Sequence, residues 1–237
     1  MKRSIHQVPR PAIAPSLLAS DFAHLADEIA RAEAAGADLL HVDVMDGHFV
    51  PNLTIGPVVV EKVRAVTDLL LDVHLMISEP GRYIQAFAEA GADHITFHAE
   101  VVSDPQAMAD RIRELGCTAG VTINPDGPVE KIAEAAPHVD MVLLMTVFAG
   151  FGGQDFVPEM LPVIRNVKGW LRGGQRLEVD GGIYADTIGE AAEAGADVFV
   201  AGTAVFRAPG GDYARAISDL RRGAAKAQGP VGSAGRE

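Results

Sequence analysis

At 237 residues, with 48% hydrophobic and 22% charged residues, the chain has the makeup of a globular protein with aliphatic material for a large core, which excludes disorder over most of its length. The formal net charge of -12 repels a polyphosphate backbone and argues against nucleic acid as a partner; an anionic small molecule would have to be held by local donors such as backbone N–H groups. One cysteine, Cys117, excludes an internal disulfide, and no long apolar stretch follows the basic start Met1–Arg10, so a cytoplasmic protein without a membrane partner is expected.

Residues 1–11 read as an N-terminal extension, the first ten of them loose, and a first strand is expected over Ala12–Leu18. A helical stretch near 21–35 then runs into AEAAGAD at Ala32–Asp38, where the glycine suits the left-handed position after a last helical turn. The same junction recurs as AEAGAD at Ala88–Asp93 and at Ala192–Asp197, and AAPHVD at Ala135–Asp140 takes its place with proline as breaker. Continuous apolar runs follow or alternate with these junctions: Leu39–Val44, Leu69–Val73, Ile95–Phe97, Ala119–Ile123, Met141–Val147, Leu177–Val179 and Val198–Ala201. Runs without alternation mark strands buried on both faces, as in a parallel sheet covered by helices. Helical stretches are expected near 57–67, 81–90, 104–115, 128–136, 158–171, 185–194 and 211–226. Eight strand and helix alternations in one chain of this size predict an α/β fold, a single-domain (β/α)₈ TIM barrel over residues 12–226, in preference to an open doubly wound sheet. Residues 227–237, small and glycine-rich, read as a disordered tail.

In such barrels the functional side chains stand at the C-terminal ends of strands and in the loops beyond. That rule selects His41, Asp43 and Asp46 in HVDVMDGHF, Asp72, His74 and Met76 in DVHLM, and Asp180 in VDGG. Residues two apart in a strand share a face, so His41 projects with Asp43 and Asp72 with His74. If His41, Asp43, His74 and Asp180 all point inward, two imidazoles and two carboxylates converge near the mouth, a set suited to Zn²⁺, Fe²⁺, Mn²⁺ or Co²⁺ rather than to Mg²⁺ or Ca²⁺. A lone histidine in a strand is more often a core residue than a ligand, but four ligand-capable side chains at three strand ends are hard to attribute to chance. Asp38, Asp93 and Asp197 read as junction or capping residues, Asp46 as a turn former, Cys117 as a buried inert thiol, and His98 and Glu100 as open candidates for lining.

Glycines supply a second signal. GFGG at Gly150–Gly153, DGG at Asp180–Gly182 and Gly202–Thr203 follow three consecutive late strands, where backbone N–H groups can approach a phosphate closely. Met45, Met76 and Met145, also near strand ends, are either plain core or an apolar floor beneath a reactive intermediate.

Ser16 with Asp21 and Phe22, HVDVMDGHFVPNLTIGP at 41–57, DVHLM at 72–76, INP at 123–125, GFGGQ at 150–154, VDGG at 179–182 and AGTAVF at 201–206 together resemble the ribulose-phosphate 3-epimerase family, from about residue 12 to 222. The resemblance implies a (β/α)₈ barrel that interconverts ribulose 5-phosphate and xylulose 5-phosphate through an enediolate held on one divalent metal. It implies that His41, Asp43, His74 and Asp180 ligate the metal, that Asp43 and Asp180 are the acid/base pair, and that Ser16 and His74 contact the sugar. Gly150, Phe151, Gly152, Gly153, Gly181, Gly182, Gly202 and Thr203 would surround the phosphate, with Met45, Met76 and Met145 as the central methionines. The partner expected is thus a small phosphorylated ketose, together with further copies of the chain in a homo-oligomer. Two departures stand out: Phe148-Ala149 replaces the usual Asn-Pro before GFGG, which leaves the shape of that loop open, and SLLASDF replaces SILSADF near the start. Inverting a carbon beside a carbonyl needs a proton removed on one face and returned on the other, which two carboxylates can do. The competing readings are a 3-epimerase of a phosphorylated hexulose such as allulose 6-phosphate, a phosphate-binding barrel decarboxylase or aldolase, for which the strand ends lack a lysine, and a non-catalytic phosphosugar-binding barrel.

Overall fold

The structure, a computed structural model, describes residues 2–228. Eight strands alternate with helices: β1 (Ala12–Ala14), α1 (Leu25–Ala34), β2 (Leu39–Met45), α2 (Pro57–Val66), β3 (Leu70–Met76), α3 (Ile84–Ala90), β4 (His94–His98), α4 (Pro105–Glu114), β5 (Thr118–Ile123), α5 (Val129–Ala135), β6 (Met141–Met145), α6 (Met160–Trp170), β7 (Arg176–Asp180), α7 (Ile188–Ala194) and β8 (Val198–Val200), then a short α8 (Thr203–Phe206) and α9 (Tyr213–Gln228). All neighbouring strands pair in parallel in the order β1-β8-β7-β6-β5-β4-β3-β2. The seam between β1 and β2 is bridged by Asp38 N–H donating to Ile13 O and His41 N–H to Pro15 O, each at 3.1 Å. This is the expected (β/α)₈ barrel in one domain.

The three glycine junctions do what their sequence implies. Gly36, Gly91 and Gly195 take φ of 90°, 114° and 118°, which ends each helix in the left-handed region and turns the chain into the next strand. The aspartate that follows each junction has a shared task. Asp38, Asp93, Asp140 and Asp197 accept the backbone N–H of Ile13, Leu71, Ala119 and Leu177, capping the start of the preceding strand in each case. β1 is shorter than expected because Pro15 cannot donate to a ladder and Ser16 Oγ accepts Leu18 N–H, opening a 3₁₀ turn at Leu17–Ala19. The sequence reading also lacked α8.

The barrel interior is stratified. At the bottom Ala12, Ala14, Leu39, Leu70, Met141 and Val198 form an apolar layer into which Ile5 plugs. The first ten residues are therefore not loose: an open barrel end would expose that layer, and Ile5 covers it with no exposure to solvent. Arg176, buried at the start of β7, ties the segment down by donating to the carbonyls of Ile5, Val8 and Pro9 at 2.9–3.0 Å and to Asp197 at 2.9 Å. Ala227 and Gln228, assigned above to a disordered tail, belong to the last turn of α9, where Gln228 Nε2 donates to Ala196 O at 2.8 Å. The remainder of that tail, 229–237, lies outside the described residues. Cys117 is buried, its thiol donating to Ala92 O, and burial pushes its pKa up, which suits an inert thiol. Among the described residues no helix is long and apolar enough to cross a membrane.

Arg176→Met would leave the carbonyls of Ile5, Val8 and Pro9 without this donor and Asp197 with the half-exposed Arg10 as its cation. A loss of about 3 kcal/mol is expected, lowering Tm by roughly 6–12 °C, while metal content of the folded protein stays unchanged. Thermal unfolding read beside elemental analysis checks both.

Candidate active site

Alternation along β2, β3 and β7 turns every second residue inward, so each strand carries a ladder of polar side chains up the barrel axis. β2 contributes His41 and Asp43, β3 Asp72 and His74, and β7 Glu178 and Asp180, with Met45 in register beside Met76 at the top. One donor atom each from His41, Asp43, His74 and Asp180 lies within 4.8 Å of the other three. His41 Nε2 stands 3.3 Å from Asp43 Oδ1 and 3.8 Å from Asp180 Oδ2; His74 Nδ1 stands 3.5 Å and 4.0 Å from the same two oxygens. Both nitrogens are fully buried and neither has a hydrogen-bond partner. Two imidazole nitrogens aimed between two carboxylates could hold a divalent cation, and two negative charges would match its charge.

The electrostatics point the same way. Burial and the neighbouring Asp43 push Asp180 up to about 7. Asp43 is held well below the usual carboxylate range, because against its burial stands the proximity of His41 and His74. Its second oxygen accepts the Ser16 hydroxyl at 2.6 Å. Burial pushes His74 down to about 4, so its ring is neutral and has a lone pair to offer. His41 is drawn upward in spite of burial by Asp43 and Asp72. Like-charged carboxylates and desolvated imidazoles set this close are costly without a cation or protons between them.

Beneath this cluster His41 Nδ1 lies 2.6 Å from Asp72 Oδ2, which fixes the ring so that Nε2 faces the cluster. Glu178 lies beside that pair, its Oε1 3.8 Å from His41 Nδ1. Burial and the neighbouring Asp72 raise its pKa well above the usual carboxylate value. The role of Asp72 and the presence of Glu178 were missed in the sequence. Glu178 was within reach, since it stands two before Asp180 on the same face of the strand.

Above the cluster opens a cavity of about 580 Å³, its open mouth included. Ser16, Asp43 and Asp180 reach it from below, and Met45, Met76 and Met145 make an apolar floor. His41 and His74 lie under that floor and do not line it. Gly150, Phe151, Gly152 and Gly153 wall it from the β6–α6 loop, Gly181 and Gly182 from the β7–α7 loop, and Gly202 and Thr203 from the start of α8. No Lys or Arg is among these lining residues, so an anion held there meets backbone N–H groups. The first turn of α8 adds N–H groups without an intrahelical acceptor.

The glycines divide into two kinds. A Cβ on Gly182, whose φ is 64°, would sit 2.3 Å from Phe156 N, and one on Gly181 would sit 2.4 Å from a methyl of Val147. Those two glycines let the β6–α6 and β7–α7 loops touch. At Gly152 the nearest atom to an added Cβ is 4.0 Å away, so nothing in the protein requires a glycine there. Phe148-Ala149 gives the β6–α6 loop a defined shape: Ala149 N–H donates to Asn124 Oδ1 at 3.0 Å, Asn52 Nδ2 to Gly150 O at 2.8 Å, and Gln154 Nε2 to Phe148 O and Phe151 O at 2.7 and 2.8 Å. Phe148 and Phe151 remain more than half exposed at the mouth.

Asp46 shapes its turn as expected and also joins two loops, accepting His48 N–H, Phe49 N–H and Ser78 N–H, which against burial hold it down to about 2. His98 and Glu100 do not line the cavity; His98 is buried behind His74, with its Nε2 3.0 Å from His74 Nε2.

The family model of the ribulose-phosphate 3 epimerase family matches residues 12–206. The chain belongs to this family. It is an isomerase, a carbohydrate epimerase by class. Relatives named ribulose-phosphate 3-epimerase include that of Mycobacterium tuberculosis strain H37Rv, 53% identical over 92% of this chain and 94% of the relative. The Bacillus subtilis protein of the same name is 52% identical over 88% and 97%, and that of Escherichia coli K12 46% identical over 90% and 96%. Among solved structures, KGPDC from Streptococcus mutans superposes with a TM-score of 0.67 at 18% identity, covering 90% of this chain and 98% of that one. A mutant tryptophan synthase alpha-subunit from Pyrococcus furiosus gives 0.66 at 14% identity over 92% and 98%. At such identities these two speak for the barrel alone.

The two kinds of glycine predict a contrast in stability. Gly182→Ala is expected to lose about 2 kcal/mol or more, whereas Gly152→Ala stays within about 0.5 kcal/mol of the parent. Urea unfolding of both proteins checks it, and equal losses would contradict the loop contact inferred at Gly182.

Proposed function

We propose that this epimerase interconverts D-ribulose 5-phosphate and D-xylulose 5-phosphate, with Asp43 and Asp180 moving the proton at C3 and with one divalent transition metal, Zn²⁺, Fe²⁺, Mn²⁺ or Co²⁺, held per chain by His41, Asp43, His74 and Asp180. The observation that carries this reading is the pair of unpartnered nitrogens, His41 Nε2 and His74 Nδ1, set between the two carboxylates directly beneath a glycine-walled cavity. A bound dication supplies positive charge to the oxygens on which negative charge grows as the C3 proton leaves.

Asp43 and Asp180 reach the cavity from β2 and β7, with β1 and β8 between them around the barrel. A ketose lying between them presents one face of C3 to each, so either carboxylate takes the proton on its own side while the other returns one opposite. Ser16 holds Asp43 in place through its 2.6 Å hydrogen bond and stands next to where a sugar hydroxyl would lie. The methionine floor keeps water from the reacting carbon and presents polarisable sulfur to a delocalised anion. The phosphate is assigned to the three glycine loops, where backbone donors hold it without a basic side chain. This assignment is supported by the phosphate ester in the name shared by the relatives.

Because Gly152 is free of packing constraints, Gly152→Val is expected to raise KM for ribulose 5-phosphate about tenfold, with kcat within about twofold. Steady-state kinetics decide it; an unchanged KM places the phosphate elsewhere.

The two-faced mechanism is tested by Asp180→Asn. The remaining carboxylate can take and return a proton on its own face only, so in D₂O the variant should incorporate deuterium at C3 of one epimer without forming the other. Elemental analysis of the same preparation separates this from loss of the metal, which would abolish exchange and inversion together, as chelation of the parent enzyme should. A metal-loaded variant that epimerises at the parental rate would remove Asp180 from the acid/base pair.

A further inference from the structure

We propose that His98, Glu100 and Asn124 form a hydrogen-bond chain that couples occupancy of the cation site to the β6–α6 loop, acting as positioning residues. The proposal rests on the cation reading above and extends it. It starts from His74, whose Nδ1 faces Asp43 and Asp180 and whose Nε2 lies 3.0 Å from His98 Nε2. The two rings are within 17° of parallel, and Phe49 packs on His98 at 4.5 Å between centroids, so His98 has little freedom to turn away. His98 Nδ1 meets Glu100 Oε2 at 3.3 Å. Glu100 Oε1 accepts the backbone N–H of Asn124 at 2.8 Å and its Nδ2 at 3.2 Å. That orients the amide so that Asn124 Oδ1 accepts Ala149 N–H at 3.0 Å.

Donors and acceptors agree along this chain in one sense only. A neutral imidazole carries one N–H, and the hydrogen bond at one nitrogen sets the state of the other. A cation on His74 Nδ1 leaves the proton on Nε2, which donates to His98 Nε2. His98 then carries its own proton on Nδ1 and donates it to Glu100. In the opposite tautomer His74 keeps its proton on Nδ1, His98 donates back to His74, and a lone pair of His98 Nδ1 faces the Glu100 carboxylate with no hydrogen between them. Without a cation both arrangements are open to the pair; with it only the first survives. Glu100 is thereby held where it grips Asn124, and Asn124 where it grips the loop that carries Gly150–Gly153.

The last link depends on this chain's own sequence. Position 149 is where the resemblance to the family leads one to expect proline, and a proline has no N–H to donate. Alanine supplies the donor that ties the loop to Asn124.

Hydrogen exchange of the full-length protein, followed by NMR with and without one equivalent of Zn²⁺, tests the coupling, with Zn²⁺ affinity measured by calorimetry. In the parent, Zn²⁺ is expected to slow exchange at Ala149 N–H about fivefold. Asn124→Leu should still bind Zn²⁺, weakened by no more than about the fivefold that reciprocal coupling implies, and lose the response of the loop. Ala149→Pro, which keeps Asn124, should likewise bind Zn²⁺ and show no change at the amides of Gly150–Gly153. Glu100→Gln, offering one acceptor oxygen where the carboxylate offers two, should weaken Zn²⁺ binding about tenfold. Zn²⁺ binding to the parent without any change at Ala149, or a response that persists in Asn124→Leu and Ala149→Pro, overturns the coupling and leaves the cation site standing. A parent protein that binds none of Zn²⁺, Fe²⁺, Mn²⁺ and Co²⁺ overturns both.

Discussion

Two carboxylates side by side in a desolvated barrel mouth set the terms for the rest of this molecule. Asp43 and Asp180 cannot both be ionised there without a compensating positive charge, and the pKa of about 7 at Asp180 expresses that conflict. The surroundings add no lysine or arginine to resolve it. They add two imidazoles whose free nitrogens point at the carboxylates, with Asp72 behind one ring and His98 behind the other. Each ring is thus turned by a partner on its far side so that the near nitrogen is available, which is how the outer shell of a metal site orients its ligands.

The same economy explains why the interior changes character along the barrel axis. In the lower layer Ile5 and the strand starts bury apolar side chains, and the buried Arg176 is matched by Asp197 and three carbonyls. That layer is about stability. The upper layers trade packing for polar side chains that are only partly satisfied: His41, Asp72, His74 and Glu178 all hold buried atoms without a hydrogen-bond partner. Unsatisfied buried polar atoms weaken a fold, so their concentration beneath a cavity marks where function has displaced stability.

How much of this could be read in the sequence depends on how local the signal is. The three glycine junctions were legible because one αL residue after a helix has one meaning, and the apolar runs between them located all eight strands. The convergence of His41, Asp43, His74 and Asp180 was legible because alternation along a strand is a strict rule, so HVD and DVH fixed which side chains share a face. The N-terminal plug was not, since its role comes from Arg176, far away in the chain, and nothing in MKRSIHQVPR itself signals burial. Helix α9 was expected to stop short because small residues near 227 look like a tail; Gln228 finds a carbonyl on another element instead. His98 and Glu100 stayed open because their partners, His74 on β3 and Asn124 just past the end of β5, belong to neighbouring parts of the barrel, and pairings across strands are invisible until register is known. The glycines near the mouth looked alike in sequence, yet the space around them separates Gly182, demanded by packing, from Gly152, which is not.

The charge of the whole protein sharpens the question of how an anionic substrate is held. A net charge of -12 opposes the approach of a phosphate ester at long range, but at physiological salt that field is screened beyond about 8 Å. Binding is therefore decided inside the cavity. On the reading proposed above, the two ends of a phosphoketose would meet different solutions to the same problem. At the phosphate end, the glycine loops and the first turn of α8 would offer N–H dipoles, which bring no net charge to the nearby carboxylates. At the sugar end, a fixed lysine or arginine would pair permanently with Asp43 or Asp180 and hold it ionised and unavailable as a proton carrier. On the same reading, a cation shared by both carboxylates and the two imidazoles would keep the positive charge central, between the two groups that would exchange roles as the reaction runs in either direction. Such symmetry would suit an epimerase, and it is compatible with a cluster of His and Asp beneath a cavity whose lining has no basic side chain.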